Sequence, residues 1–290
     1  HLANQLVLRG HRVTLYCRAM KHKKPLYPCL ESIDIIDCWN MKDFDQSKVD
    51  LQKALLNKKT DVFIPMLSEY LFTPIIDAAF EVGVPTIASE HNDPDIIVKQ
   101  WWDKYDRISS FKKADHIHLL LNKFKQSLPE ELEHKVSVIP NFIPENALPQ
   151  VMPKKKKDII FVGRLAEQKG IERLIEAFYR LADCNSDWTL SIFGEGTLRD
   201  ELQTLIFQRR LTDKVMLKGV SNNIFEEYLN ASIFVLPSYF EGFGIVVIEA
   251  QQAGLPCVAF QSCNGPNDLI SDGVNGFLVD DSQPDLAITG

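Results

Sequence analysis

Two glutamates, two cations and a glycine-containing turn carry the strongest chemical signal in this sequence. The run Phe161-Val162-Gly163-Arg164-Leu165 ends an apolar stretch, and Glu167-Gln168-Lys169-Gly170 follows before a helical pattern begins near Ile171. Arg164 and Lys169 therefore sit at the mouth of a strand, beside a helix N-terminus whose N–H groups and dipole favour anions. Arginine can fork onto phosphate oxygens and lysine supplies a point charge. The plainer reading is a pair of surface cations. The second cluster, Ser238-Tyr239-Phe240-Glu241-Gly242-Phe243-Gly244, follows Ile233–Leu236 and Pro237 and leads into Ile245-Val246-Val247-Ile248-Glu249-Ala250. Gly242 and Gly244 let backbone amides come close to a ligand, an arrangement that suits phosphate. Glu241 in the turn can accept hydrogen bonds from sugar hydroxyls, and Glu249 from the vicinal hydroxyls of a ribose. Both could instead be charges matched to a helix start. Glu249 argues against that, because apolar neighbours leave it little wet surface and a buried carboxylate needs partners.

Weaker signals lie elsewhere. Phe193-Gly194-Glu195-Gly196 could open a dinucleotide fingerprint, but Arg199 stands where the third glycine belongs, and an isolated G-x-G is weak. Ala88-Ser89-Glu90-His91-Asn92-Asp93-Pro94 ends a predicted strand and points His91 toward a ligand. Asn92, Asp93 and Pro94 also suit a helix start. Asp43-Phe44-Asp45 and Asp93-Pro94-Asp95 have the D-x-D form of some metal sites, yet each precedes a helical stretch and reads as a helix start. No metal is expected.

These residues need elements to hold them. Short apolar runs alternate with helical stretches along the whole chain. The predicted strands are 12–17, 61–65, 84–88, 116–120 and 136–139, then 158–162, 189–193, 215–218, 233–236, 257–260 and 276–279. Such alternation means parallel sheets covered on both faces. Ile171, Leu174, Ile175, Phe178 and Leu181 form one apolar helical stripe. Pro140, Pro144, Pro149 and Pro153, followed by Lys154–Lys157, mark a linker at 141–157. The expected layout is an N-terminal domain at 1–140 and a C-terminal domain at 158–290, with ligand bound in a cleft between them.

Composition narrows the class. The chain has 290 residues, 45% hydrophobic and 24% charged, which is ordinary globular make-up. Its net charge is -7, with 19 basic and 20 acidic residues up to residue 150 and 13 and 19 beyond it. That balance argues against nucleic acid as a partner, and leaves peripheral membrane contact by the first half open. The longest apolar stretch, Tyr70 to Ala88, is broken by Asp77 and Glu81, so no transmembrane helix is expected. The six cysteines show no zinc spacing and read as reduced cytosolic thiols.

Taken together, the second half resembles the donor domain of retaining glycosyltransferases of family four, with the GT-B fold. The motifs are Gly163-Arg164-Leu165 with Lys169-Gly170; Glu241 and Glu249 with seven residues between them; and Gly265-Pro266 through Asp272-Gly273-Val274-Asn275-Gly276-Phe277-Leu278-Val279. Glu90-His91-Asn92 is similar to bacterial members that build lipopolysaccharide, capsule or lipid-linked oligosaccharides. The resemblance implies two Rossmann-like, doubly wound domains facing across a cleft. It implies transfer of a hexose or N-acetylhexosamine from a nucleotide sugar, expected to be a UDP-sugar, to a glycan or lipid-linked acceptor.

Position by position, Arg164 and Lys169 would hold the donor diphosphate, and Glu241 the transferred sugar. Gly163 and the Gly242, Phe243, Gly244 and Ile245 backbone would line the donor, and Glu249 would bind the ribose. His91 would reach the sugar, and Gly194 and Glu195 would lie near the base. Because the two cations can stand in for a metal, activity without metal or other cofactor is expected. The expected location is cytoplasmic, in part at the inner membrane face. Relative to the family pattern, a first strand and the last helices are expected to be missing, so the chain reads as a fragment. A non-catalytic nucleotide-sugar-binding protein and a GT-B epimerase are the alternatives.

Overall fold

The computed structural model describes residues 2–18, 28–40, 43–66, 72–100, 103–143, 153–182 and 187–282. Residues 144–152 of the predicted linker, Cys184, Tyr70 at the head of the longest apolar stretch, and residues 283–290 lie outside this range. The chain divides into two compact units, His1–Val138 and Ile139–Gly290.

The first unit holds β1 (Thr14–Arg18), β2 (Asp34–Trp39), β3 (Ile87–Ser89), β4 (His116–Leu119) and β5 (Val136–Val138). β1 and β2 form one parallel pair, and β3-β4-β5 a second parallel sheet. The predicted strand 61–65 shrinks to a single bridge, Phe63 to Thr86. Phe63 N–H donates to the Pro85 carbonyl at 2.8 Å and Ile87 N–H to the Phe63 carbonyl at 2.9 Å. Pro65 and Pro85 have no N–H to extend the ladder. β2 was not expected from the sequence, because Asp34 and Asp37 interrupt its apolar run. Asp43 caps the helix Phe44–Asn57 by accepting from Gln46 N–H at 3.0 Å. Asp93 likewise accepts from Asp95 N–H, at 3.0 Å, at the start of Pro94–Gln100.

The second unit holds β6 (Asp158–Val162), β7 (Thr189–Phe193), β8 (Val215–Gly219), β9 (Ile233–Leu236), β10 (Cys257–Phe260) and β11 (Gly276–Val279). They form one parallel sheet in the order β11-β10-β9-β6-β7-β8. Five of the six match the sequence expectation to the residue; four of them, β6, β7, β9 and β10, lie inside the sheet, where strands read as unbroken apolar runs. The helix Ile171–Ala182 buries Ile171, Leu174, Ile175 and Phe178 against the sheet. The stripe ends on Ala182 rather than Leu181, which is 49% exposed. Phe161, Phe178, Tyr228 and Phe234 are fully enclosed in this core, each side chain contributing about 1.5–3 kcal/mol by burial. Chain order runs outward from β6 to β8, then returns to β9 on the other side of β6. The crevice beyond the carboxyl ends of β6 and β9 is thus the switch point where such sheets bind ligands. Among the described residues, no helix is long and apolar enough to cross a membrane.

Candidate active site

The loops that follow β6 and β9 are stitched together. Residues Glu167–Lys169 make a short 3-10 turn that Gly170 ends in the left-handed region, at φ 58°. A Cβ on Gly170 would lie 2.3 Å from the Pro237 carbonyl oxygen, so only glycine permits this approach. Gln168 Nε2 donates to the Phe240 carbonyl at 2.9 Å, and Tyr239 N–H donates to the Gln168 carbonyl at 2.9 Å. Arg173, in the helix that follows, lies 4.8 Å from the Tyr239 ring centre and 3.7 Å from that of Phe260.

This stitching brings Lys169 onto Glu241. Lys169 Nζ donates to Glu241 Oε1 at 2.5 Å, and Ser238 Oγ donates to the same oxygen at 2.7 Å. Both side chains of the ion pair are mostly buried, at 13% and 10% exposure. Ser238 is wholly enclosed; sequence reasoning missed its role, although a small polar residue closing a buried strand was a usable signal. Glu241 Oε1 is thus doubly engaged, while Oε2 has no partner among the described residues. Arg164 is exposed on the loop after β6, and no hydrogen bond or ion pair among the described residues holds its side chain. Gly244, at φ 87°, leads directly into the helix Ile245–Gln252.

Gly194 brings the loop after β7 against the same place. Its φ is 135°, and a Cβ there would lie 1.8 Å from the Gly163 carbonyl oxygen. Gly163 N–H donates to the Phe193 carbonyl at 3.0 Å, and Leu165 N–H to the Glu195 carbonyl at 3.0 Å. Gly194→Ala is therefore expected to destabilise the second unit by at least about 1–3 kcal/mol, read as a lower denaturant midpoint; an unchanged midpoint would refute the close approach. Glu195 is exposed and pairs with Arg199 at 2.9 Å.

Glu249 lies just over one turn into its helix. The enclosed Tyr228 hydroxyl donates to Glu249 Oε2 at 3.3 Å. Burial pushes the Glu249 carboxyl above its ordinary range, and the Tyr228 hydrogen bond works against that rise. Tyr228 itself is driven up by burial and then by the Glu249 charge.

His91 belongs to the first unit, directly after β3. Burial, and then the neighbouring His118, lower its pKa from 6.5 to about 4, so the ring is neutral near pH 7. An unfolded chain takes up this proton near pH 6.5. Folding therefore loses stability as pH falls from there toward 4. Glu90 is buried, and its carboxylate accepts from Arg107 Nε at 2.8 Å and Nη2 at 2.7 Å. Arg107 also donates to the Ser127 hydroxyl at 2.9 Å and carbonyl at 3.2 Å. Among the described residues, no group of three or more His, Cys, Asp or Glu side chains could hold a metal ion. Cys17, Cys29, Cys38 and Cys257 are free thiols.

The parallel α/β units have the fold of solved GT-B glycosyltransferase structures. It belongs to the family described as glycosyl transferases group 1, whose pattern matches residues 143–289. An exopolysaccharide phosphotransferase of Streptomyces coelicolor is 33% identical over 237 residues, 80% of this chain and 24% of that protein. The N-acetylgalactosamine-N,N'-diacetylbacillosaminyl-diphospho-undecaprenol 4-alpha-N-acetylgalactosaminyltransferase of Campylobacter jejuni is 38% identical over 126 residues, 43% of this chain and 34% of that protein. The chain thus spans between a quarter and about a third of the length of these curated relatives. A structure of S. aureus TarM in complex with fondaparinux, alpha-GlcNAc-glycerol and UDP superimposes with a TM-score of 0.71 and 21% identity, over 83% of this chain and 50% of that one.

Proposed function

We propose that this chain is the sugar-transferring part of a retaining glycosyltransferase of family four. It moves a hexose or N-acetylhexosamine from a UDP-sugar to a glycan or lipid-linked acceptor in surface-polysaccharide synthesis. The observation that carries this reading is the Lys169–Glu241 pair, held at the switch point of a parallel sheet by glycine-tight loops.

Breaking the bond between the sugar and the diphosphate leaves negative charge on the departing phosphate. Lys169 and Arg164, with the amides of Gly242, Phe243, Gly244 and Ile245, take up that charge. Fixed donors of this kind stabilise the transition state without reorganising. With two cations in that role, the reaction proceeds without a metal ion. The second carboxylate oxygen of Glu241 accepts from a hydroxyl of the transferred sugar. Glu249 accepts from the ribose, with Gly163, Gly194 and Glu195 lining the rest of the donor. Neutral His91 contributes a hydrogen bond from the first unit. The Campylobacter relative's name supports a lipid-linked acceptor, and the UDP in the TarM complex supports the donor. A lipid-linked acceptor and free thiols fit an enzyme at the cytoplasmic face of a membrane, held there peripherally.

The reading is tested by melting the protein with UDP, GDP, ADP and several UDP-sugars, with and without Mn²⁺. UDP without metal is expected to raise the melting temperature. A ligand at one hundred times its dissociation constant adds about 2.7 kcal/mol. Glu249→Gln is expected to shrink the shift. A folded protein that ignores every nucleotide, or responds only with Mn²⁺, would overturn the proposal.

A further inference from the structure

Three polar side chains of the first unit form a hydrogen-bonded chain that the roles above leave unexplained. Ser89 closes β3 and is buried. Its Oγ lies 2.8 Å from His91 Nε2 and 2.7 Å from His118 Nδ1. Ser89 and His118 are register partners across β3 and β4, so the sheet sets their separation. The two histidine rings stand edge to face, with centres 5.8 Å apart at 68°. The loop carrying His91 is held on both sides. Glu90 N–H donates to the His118 carbonyl at 3.0 Å, and the Glu90 carboxylate is clamped by Arg107.

A serine hydroxyl has one hydrogen, and a neutral imidazole has one N–H and one bare nitrogen. Both rings could donate to the two lone pairs of Ser89 Oγ, but the buried Ser89 O–H would then have no acceptor among the described residues. Every hydrogen is used only if one ring donates to Ser89 Oγ and the other accepts from it. Two arrangements satisfy this. In one, His118 Nδ1–H donates to Ser89, the Ser89 O–H donates to His91 Nε2, and the His91 proton sits on Nδ1. In the other, every bond is reversed, and both rings carry their proton on Nε2. In either case the two histidines share one tautomer. In either case His91 Nε2 is spent inside the protein, and Nδ1, without a partner among the described residues, is the nitrogen left for a ligand.

We propose that Ser89 and His118 are positioning residues that fix the hydrogen-bonding role of His91 Nδ1 toward the transferred sugar, with the Ser89 hydroxyl passing the tautomer of His118 to His91. This rests on the reading of His91 as a substrate contact. The serine works against both mixed states: with both rings accepting, one contact has no hydrogen, and with both donating, the buried Ser89 O–H has no acceptor among the described residues. It thereby disfavours half of the tautomer combinations open to two independent rings.

The test is ¹⁵N–¹H NMR of the whole chain labelled at histidine, with the two rings assigned through His91→Gln and His118→Gln. At pH 7 the His91 ring is expected to be neutral, and the two rings to report the same tautomer. Ser89→Ala is expected to break that match and to lower kcat about tenfold with little change in the donor KM, and Ser89→Thr, which keeps the hydroxyl, to restore most of both. Opposite tautomers in the unaltered protein, or His91 signals unmoved by Ser89→Ala, would overturn the relay. The NMR arm needs no turnover, so it stands apart from the proposed transfer activity. A relay seen by NMR in a protein whose Ser89→Ala variant transfers sugar at the full rate would overturn its link to substrate, while loss of transfer in Lys169 variants would leave the transferase reading standing.

Discussion

Lys169→Ala is expected to cut sugar transfer by about 10²–10³-fold, the cost of losing one preorganised donor to developing charge. The effect should fall on kcat, because the charge that Lys169 meets grows as the sugar leaves. The variant should still fold. Lys169 shares Glu241 Oε1 with Ser238, so the carboxylate keeps one donor when the ammonium goes. Melting should come at a lower temperature, because Glu241 stays largely buried with its charge less well paired. Lys169→Arg separates charge from placement, since a guanidinium restores the charge in a different shape. Initial-rate measurements with a UDP-sugar check both variants. Turnover equal to that of the unaltered protein in the Lys169→Ala chain would reject the phosphate role.

Arg107→Ala is expected to be the most damaging single substitution in the first unit, costing about 3–5 kcal/mol. Both Arg107 and Glu90 have side chains only 1% exposed. Removing the guanidinium strands a carboxylate that water cannot reach and leaves the Ser127 hydroxyl and carbonyl without their donor. It also empties the place over Phe111, whose ring centre lies 4.9 Å from the guanidinium carbon. A whole domain is stable by only about 5–15 kcal/mol, so this loss should unfold the first unit well before the second. Two separated steps in urea, with only the earlier one moved, are the expected trace. The paired change Glu90→Gln with Arg107→Met should recover much of the loss, because it removes both charges from the interior. A single unchanged transition for Arg107→Ala would contradict the buried pair.

The two units differ in how far the sequence discloses them. In the second unit, β6, β7, β9, β10 and β11 begin and end where the apolar runs do, and all but the edge strand β11 lie inside the sheet. The permissive turn at Gly244 was equally visible. What no local pattern could show is that Lys169 meets Glu241. Their contact exists because β9 returns to lie beside β6, and sheet order is a property of the whole chain.

The first unit hid more. β2 carries Asp34 and Asp37 among its apolar residues, so it does not read as a strand. Arg107, Ser110, Phe111 and Ala114 fall at helical spacing and are all buried, yet two of the four are polar. A search for apolar periodicity passes over that stripe. Its partner Glu90 was in view as part of a motif, but a carboxylate at a strand end gives no sign of which cation will neutralise it.

The union of the 167–170 and 237–241 loops also limits how this protein can be remodelled. Gly170 against the Pro237 carbonyl, and Gln168 bonded to both Tyr239 and Phe240, tie two stretches far apart in sequence into a single inherited part. A chimera that imports the 238–244 loop of a relative, to change which sugar is accepted, would bring in a carboxylate whose lysine was fitted to another backbone. Exchanges between relatives should succeed when both stretches travel together.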